Sequence, residues 1–206
     1  MIIKVCGMRD AHNIREVENL GIDWLGFILY PKSPRYVAAK PDYMPLRAWR
    51  VGVFVNADAS TICQQASALG LNLVQLHGSE TPQFCRDIKA QLPEVKLIKA
   101  FSIKDAESLK PTEQYDGIVD YFLFDTHCPD YGGSGQTFDH QLLTAYCGNT
   151  PFLLSGGLSV DNIEDIKSFY HPQLAGYDLN SRFEIEPALK NPHLIQQFID
   201  AITSNT

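Results

Sequence analysis

Several things are scarce in this chain, and each shortage narrows what it can be. No apolar run approaches the ~20 residues that span a bilayer, and the opening IIKVCG is too short for the hydrophobic stretch of a secretory leader. The expectation is a protein without a membrane, resident in the cytoplasm. Basic residues are in deficit: the formal net charge is −7. Nucleic acid is therefore not an expected partner, because binding a phosphate backbone needs a face rich in Lys and Arg. Small anions remain possible, since a few backbone N–H groups and one Arg can hold them. Cysteine is sparse: the five at 6, 63, 85, 128 and 147 are irregularly spaced and form no C-x-x-C. That odd set argues against a disulfide framework or structural zinc and for reduced thiols. The histidines show no metal-ligand spacing, so no metal is expected. The first turn, VCGMRD, lacks the G-x-G-x-x-G of a dinucleotide fold.

Short apolar runs are plentiful. Eight recur along the 206 residues: IIKV (2–5), WLGFIL (24–29), VGVFV (51–55), LNLVQL (71–76), KLIKAF (96–101), YFLF (121–124), PFLLS (151–155) and LAGYDL (174–179). They are nearly continuous rather than alternating, as parallel strands are when both faces are covered. Helical patterns separate them, at 10–20, 58–70, 80–91, 138–146, 159–170 and 192–202. Asp10 and Asp58 sit where N-caps belong, and Gly70 where a helix should stop. Segments 37–48 and 103–117 contain Pro41, Pro45 and Pro111, which predicts short or broken helices there. Strand–helix alternation implies right-handed crossovers in a parallel sheet. Eight such units predict a (β/α)₈ barrel, for which about 200 residues is the lower size limit. No linker, repeat or low-complexity stretch divides residues 1–206, so one domain is expected.

Barrels of this kind carry their chemistry at the C-terminal strand ends. Read in order, those ends offer Cys6, the loop after Leu29, Asn56, His77, Phe101, Asp125, Ser155 and Asp178. Cys6 reads either as a small buried hydrophobe or as a general base, if its pKa falls toward neutrality. Asp125 ends a strongly apolar strand. It is either a loop cap or a general acid whose pKa partial burial would raise. The loop 126–137 contains GGSG (132–135), which suits either a connector or a backbone-first approach to a ligand. SGGL (155–158) followed by a helix can present N–H groups to a phosphate, and the polar turn YDLNSRFE (177–184) can add more. Arg35, in the proline-stiffened loop YPKSPRYV (30–37), is either solvated or a bidentate grip for a carboxylate. His77 either orients a substrate or packs as a hydrogen-bonded core residue. A rival chemistry is also legible: Lys99, in LIKAF, would suit a Schiff-base aldolase if its pKa were depressed. A second rival is a phosphosugar-binding module of the same fold with no catalysis.

Taken together, KVCGM (4–8), GFILYPKSPRYV (26–37), VGVFVN (51–56), VQLHG (74–78), FDT (124–126), GGSGQTFD (132–139), SGGL (155–158) and the D-x-N-S-x-x-E turn (178–184) resemble the phosphoribosylanthranilate isomerase family. The matches run in order, one at nearly every strand end. The resemblance implies a (β/α)₈ isomerase of tryptophan biosynthesis acting on a phosphosugar. Its reaction is an Amadori rearrangement of N-(5-phosphoribosyl)anthranilate to the ring-opened aminoketose, 1-(2-carboxyphenylamino)-1-deoxyribulose 5-phosphate. It implies no metal or organic cofactor. Barrels of this size occur as monomers and as dimers, so a monomer or homodimer is expected. By the same resemblance Cys6 is the general base and Asp125 the general acid. Arg35 holds the anthranilate carboxylate, and Gly156, Gly157, Asn180 and Ser181 lie at the phosphate; His77 is a substrate-binding candidate from its strand-end position alone. Two positions depart from the family pattern: Arg182 stands where a small S-S-G-V segment has glycine, and Arg9 where Thr is usual.

Overall fold

A computed structural model describes residues 1–126 and 140–204. The GGSG motif, His127 and Cys128 lie outside them. Eight parallel strands close into a barrel in chain order: β1 (Ile2–Cys6), β2 (Trp24–Ile28), β3 (Trp49–Phe54), β4 (Leu73–Leu76), β5 (Lys96–Ile103), β6 (Tyr121–Thr126), β7 (Phe152–Ser155) and β8 (Leu174–Leu179). Closure comes from β8 pairing back on β1, with Lys4 opposite Asp178. Every apolar run read from the sequence became a strand.

The intervening helices are α1 (Ala11–Glu18), α2 (Ala59–Leu69), α3 (Pro82–Gln91), α4 (Ile163–Ser168) and α5 (Pro192–Thr203). Asp10 and Asp58 accept hydrogen bonds from the N–H groups of Asn13 and Thr61, and Gly70 ends α2 in the left-handed region. Three connections depart from α-helix. Residues 37–48 form no helix: Pro41 and Pro45 supply no N–H donors, and the Glu18 carboxylate takes up the N–H groups of Arg47 and Ala48 and the Tyr43 hydroxyl. Residues 106–114 form a 3₁₀ helix with Pro111 inside it. Residues 140–145 are also 3₁₀.

An antiparallel hairpin follows β8: β9 (Glu184–Glu186) and β10 (Leu189–Lys190). No hairpin was expected in that polar turn. Its tip places Ala188 at a φ of 71°.

Two apolar clusters result. The larger lies between strands and helices. The smaller contains Cys6, Trp24, Val51, Val53, Leu73, Ile98, Ala100, Leu123 and Leu153. Its members fall at alternate strand positions, which is the period of barrel-facing side chains, so they fill the interior. Lys4, two residues before Cys6, shares that inward face.

Candidate active site

Cys6 ends β1 with its thiol packed over β2. Gly26 makes this possible: a Cβ there would sit 2.8 Å from the Cys6 Sγ, well inside van der Waals contact. Asp125 is the next-to-last residue of β6, opposite Ser155 of β7. His77 follows β4. All three open into one cavity of about 460 Å³ at the C-terminal end of the barrel, with Gln75, Gly156, Gly157, Asp178, Asn180, Ser181 and Arg182 also in its wall. The two proposed acid–base groups therefore face a common space.

The surroundings of Cys6 are charged and buried. Lys4 is fully buried and its ammonium lies 2.8 Å from Asp178 Oδ2. Burial alone would weaken the Lys4 ammonium, but Asp178 and Cys6 outweigh it and the pKa rises. For Cys6 the balance goes the other way. Burial pushes the thiol up, and Asp178 adds to that, while Lys4 and Lys190 pull it down without cancelling it. The fall toward neutrality that the sequence reading required is opposed here, because desolvation of a thiolate outweighs two nearby cations.

His77 is held on one side by Gln75, whose amide nitrogen lies 2.8 Å from Nδ1. Its Nε2 faces Asp125 Oδ2 at 3.8 Å. Burial lowers the imidazole pKa against the opposing pull of Asp125. The loop carrying it is pinned by Glu80, which accepts from the N–H groups of Asn56 and Gly78.

Two turns form the part of the wall where the sequence predicts a phosphate. Gly156 and Gly157 adopt φ values of 87° and 67°, a region where a side chain would be strained. Ser181–Phe183 forms a one-turn 3₁₀ helix across the rim, the short helical turn expected there. The helix after SGGL begins later than expected: a 3₁₀ turn capped by Ser159 precedes α4.

Arg35 is the one assigned residue that stays out of the cavity wall. Its Nε and Nη2 grip the Glu184 carboxylate at 2.6–3.1 Å, and only 19% of its side chain is exposed. Lys99 is turned away from the cavity as well. Its ammonium donates to the carbonyls of Gly78, Ala100 and Leu76 and pairs with Glu80 at 3.3 Å. Burial does depress its pKa, as an imine-forming lysine requires, but no carbonyl substrate in the cavity can reach it.

The profile of the family described as N-(5'phosphoribosyl)anthranilate (PRA) isomerase matches residues 3–201. The chain belongs to the phosphoribosylanthranilate isomerase family. A curated N-(5'-phosphoribosyl)anthranilate isomerase from Phocaeicola vulgatus is 50% identical to it over 202 residues, 98% of each chain. The crystal structure of phosphoribosyl anthranilate isomerase from Thermotoga maritima superposes with a TM-score of 0.81 at 31% identity, covering 98% of both chains. A phosphoribosyl anthranilate isomerase in complex with reduced 1-(o-carboxyphenylamino)-1-deoxyribulose 5-phosphate superposes at 0.78 with 27% identity, again over 98% of both.

Within this isomerase fold, sequence reasoning left Lys4, Gln75, Glu184 and Lys190 without a role. Lys4 had a legible signal, a lysine on the same face as Cys6 in an apolar strand. Lys190 had none: only the hairpin brings it under the site.

Proposed function

We propose that the protein is a phosphoribosylanthranilate isomerase of tryptophan biosynthesis, catalysing the Amadori rearrangement of N-(5-phosphoribosyl)anthranilate by general acid–base chemistry. One observation carries the assignment of roles: a thiol from β1 and a carboxyl from β6 share one cavity, whose far wall is the pair of turns suited to a phosphate. Protonated Asp125 gives its proton to the ribose ring oxygen as the C1–O bond breaks, and the nitrogen lone pair forms the C1=N iminium. The iminium acidifies the C2–H. The Cys6 thiolate takes that proton, and the C–H electron pair becomes the C1=C2 bond of an enolamine. Protonation of C1 and loss of the C2 hydroxyl proton then give the ketone.

Gly156, Gly157, Asn180 and Ser181 hold the phosphate in this reading, with Arg182 adding positive charge at the rim. Arg35 holds the anthranilate carboxylate, using guanidinium N–H groups that Glu184 does not occupy. Anchoring both ends fixes C1 and C2 between acid and base. His77, beside Asp125, lines the substrate. The enzyme works in the cytoplasm on a free phosphosugar, as a monomer or homodimer.

Steady-state turnover of N-(5-phosphoribosyl)anthranilate tests this. Positioned acid–base groups contribute roughly 10²–10⁴-fold each. Cys6→Ser and Asp125→Asn are therefore each expected to lower kcat by about 100-fold or more with small changes in KM. Turnover near that of the unaltered enzyme in either variant would sink the corresponding role.

A further inference from the structure

Behind the cavity wall lies a charged cluster in which Arg35 and Asn180 meet two residues, Glu184 and Lys190, that the mechanism above does not use. Glu184 accepts from Nε and Nη2 of Arg35. The same carboxylate lies 2.7 Å from the Lys190 ammonium and accepts the Ala188 N–H. Lys190 is fully buried. Its ammonium also donates to Asn180 Oδ1 at 2.7 Å and toward the Asn180 carbonyl at 3.3 Å. Its backbone is tied at both N–H and C=O to the Asn13 side chain of α1. One ammonium thus joins the Arg35 loop, the phosphate-side turn and the first helix.

This cluster touches the catalytic strand. Gly7, next to Cys6, has a φ of 83°, and a Cβ there would fall 2.7 Å from Arg35 Cδ, 3.0 Å from Asn180 Oδ1 and 3.4 Å from Lys190 Nζ. Glycine lets the backbone after Cys6 rest directly on the three side chains.

The charges do not balance without Cys6. Lys4 and Asp178 cancel, whereas Arg35 and Lys190 share the single carboxylate of Glu184. A buried surplus cation is costly, and an anion beside it is correspondingly favoured. Across the cavity the remaining ionisable neighbours are His77, Asp125 and, at the rim, Arg182. Burial lowers the pKa of the Lys190 ammonium, against the support of Glu184 and Cys6, which fits a cation short of one anionic partner.

We propose that Glu184 and Lys190 are positioning residues: they hold Arg35 and the Asn180 turn in fixed register, and their cluster's surplus positive charge supports the Cys6 thiolate. The proposal rests on Cys6 being the base. Its test reads Cys6 directly, without substrate, through the pH dependence of iodoacetamide alkylation followed on the Cys6 peptide by mass spectrometry. Lys190→Met removes a cation. The midpoint is expected to move up by about one unit, an approximately tenfold loss of alkylation rate at neutral pH. Glu184→Gln removes the shared anion, and the midpoint is expected to move down by a similar amount. A merely structural role would move both variants the same way or neither, and either result overturns the proposal. Should Lys190→Met fail to fold, the direction in Glu184→Gln decides alone. Failure of the base assignment is separately visible as turnover surviving Cys6→Ser, which alkylation does not measure.

Discussion

Burial and the nearby lysines act on the Cys6 thiol in opposite directions, and burial wins. The consequence is a sign for the pH profile. With the thiol pKa raised, only a minority of molecules hold the thiolate at neutral pH, and that fraction grows about tenfold per pH unit until Cys6 titrates. The rate of Cys6 alkylation by iodoacetamide, which reads the thiolate alone, is therefore expected to climb from neutral into alkaline pH, and a plateau already reached at pH 6 would contradict it. Lys4 belongs to the same balance. Lys4→Met leaves the Asp178 carboxylate buried without its partner, which typically costs about 3–5 kcal/mol. Urea unfolding is expected to show a loss of that order, partly restored in the Lys4→Met, Asp178→Leu pair. Arg35 should behave differently from the acid–base pair. Arg35→Ala is expected to raise KM with a smaller change in kcat, since uniform binding is lost; an unchanged KM would remove the carboxylate assignment. Of these residues, Cys6, Asp125 and His77 could be picked out because strand ends are where barrel chemistry sits. The Arg35–Glu184 clamp could not, because its partners lie far apart in the chain.

Element boundaries follow from local chemistry where a residue type permits only one conformation. Gly70 ends α2 at a φ of 60°, and a Cβ there would come within 2.8 Å of Arg50 Nη1. Gly70→Ala is expected to cost about 1 kcal/mol or more, measured by denaturant unfolding; a neutral effect would show that the end of α2 re-forms another way. Prolines marked the weak helices, but not what replaces them. Pro111 is accommodated by 3₁₀ geometry, whereas 37–48 gives up helix because buried Glu18 captures its donors. Nothing near 37–48 in the sequence names Glu18 as that partner. The β9–β10 hairpin was hidden for a related reason: at three and two residues, its strands are too short to show a period.

For the molecule as a whole, acid should be the weak point. Glu184 and Glu18 both feel burial, yet hydrogen bonds from Arg35 and Lys190 in one case, and from Tyr43 and two backbone N–H groups in the other, hold their pKa values below the ordinary carboxyl range. A depressed folded value means the stabilising contribution is complete above the unfolded value, about 4.3, and is lost as pH falls through the folded one. Tm is expected to be flat near pH 6 and to drop below about pH 4, less steeply in Glu184→Gln; equal slopes would exclude Glu184 as a contributor.

Strand number, strand order and the strand-end location of Cys6 and Asp125 were legible in the linear chain, because apolar run length and alternation with helices restrict a 206-residue polypeptide to few topologies. Folding alone set the protonation of the thiol, the withdrawal of Lys99 from the cavity and the meeting of Arg35, Glu184 and Lys190. Those depend on desolvation and on distances across the closed barrel, and neither exists until β8 pairs with β1.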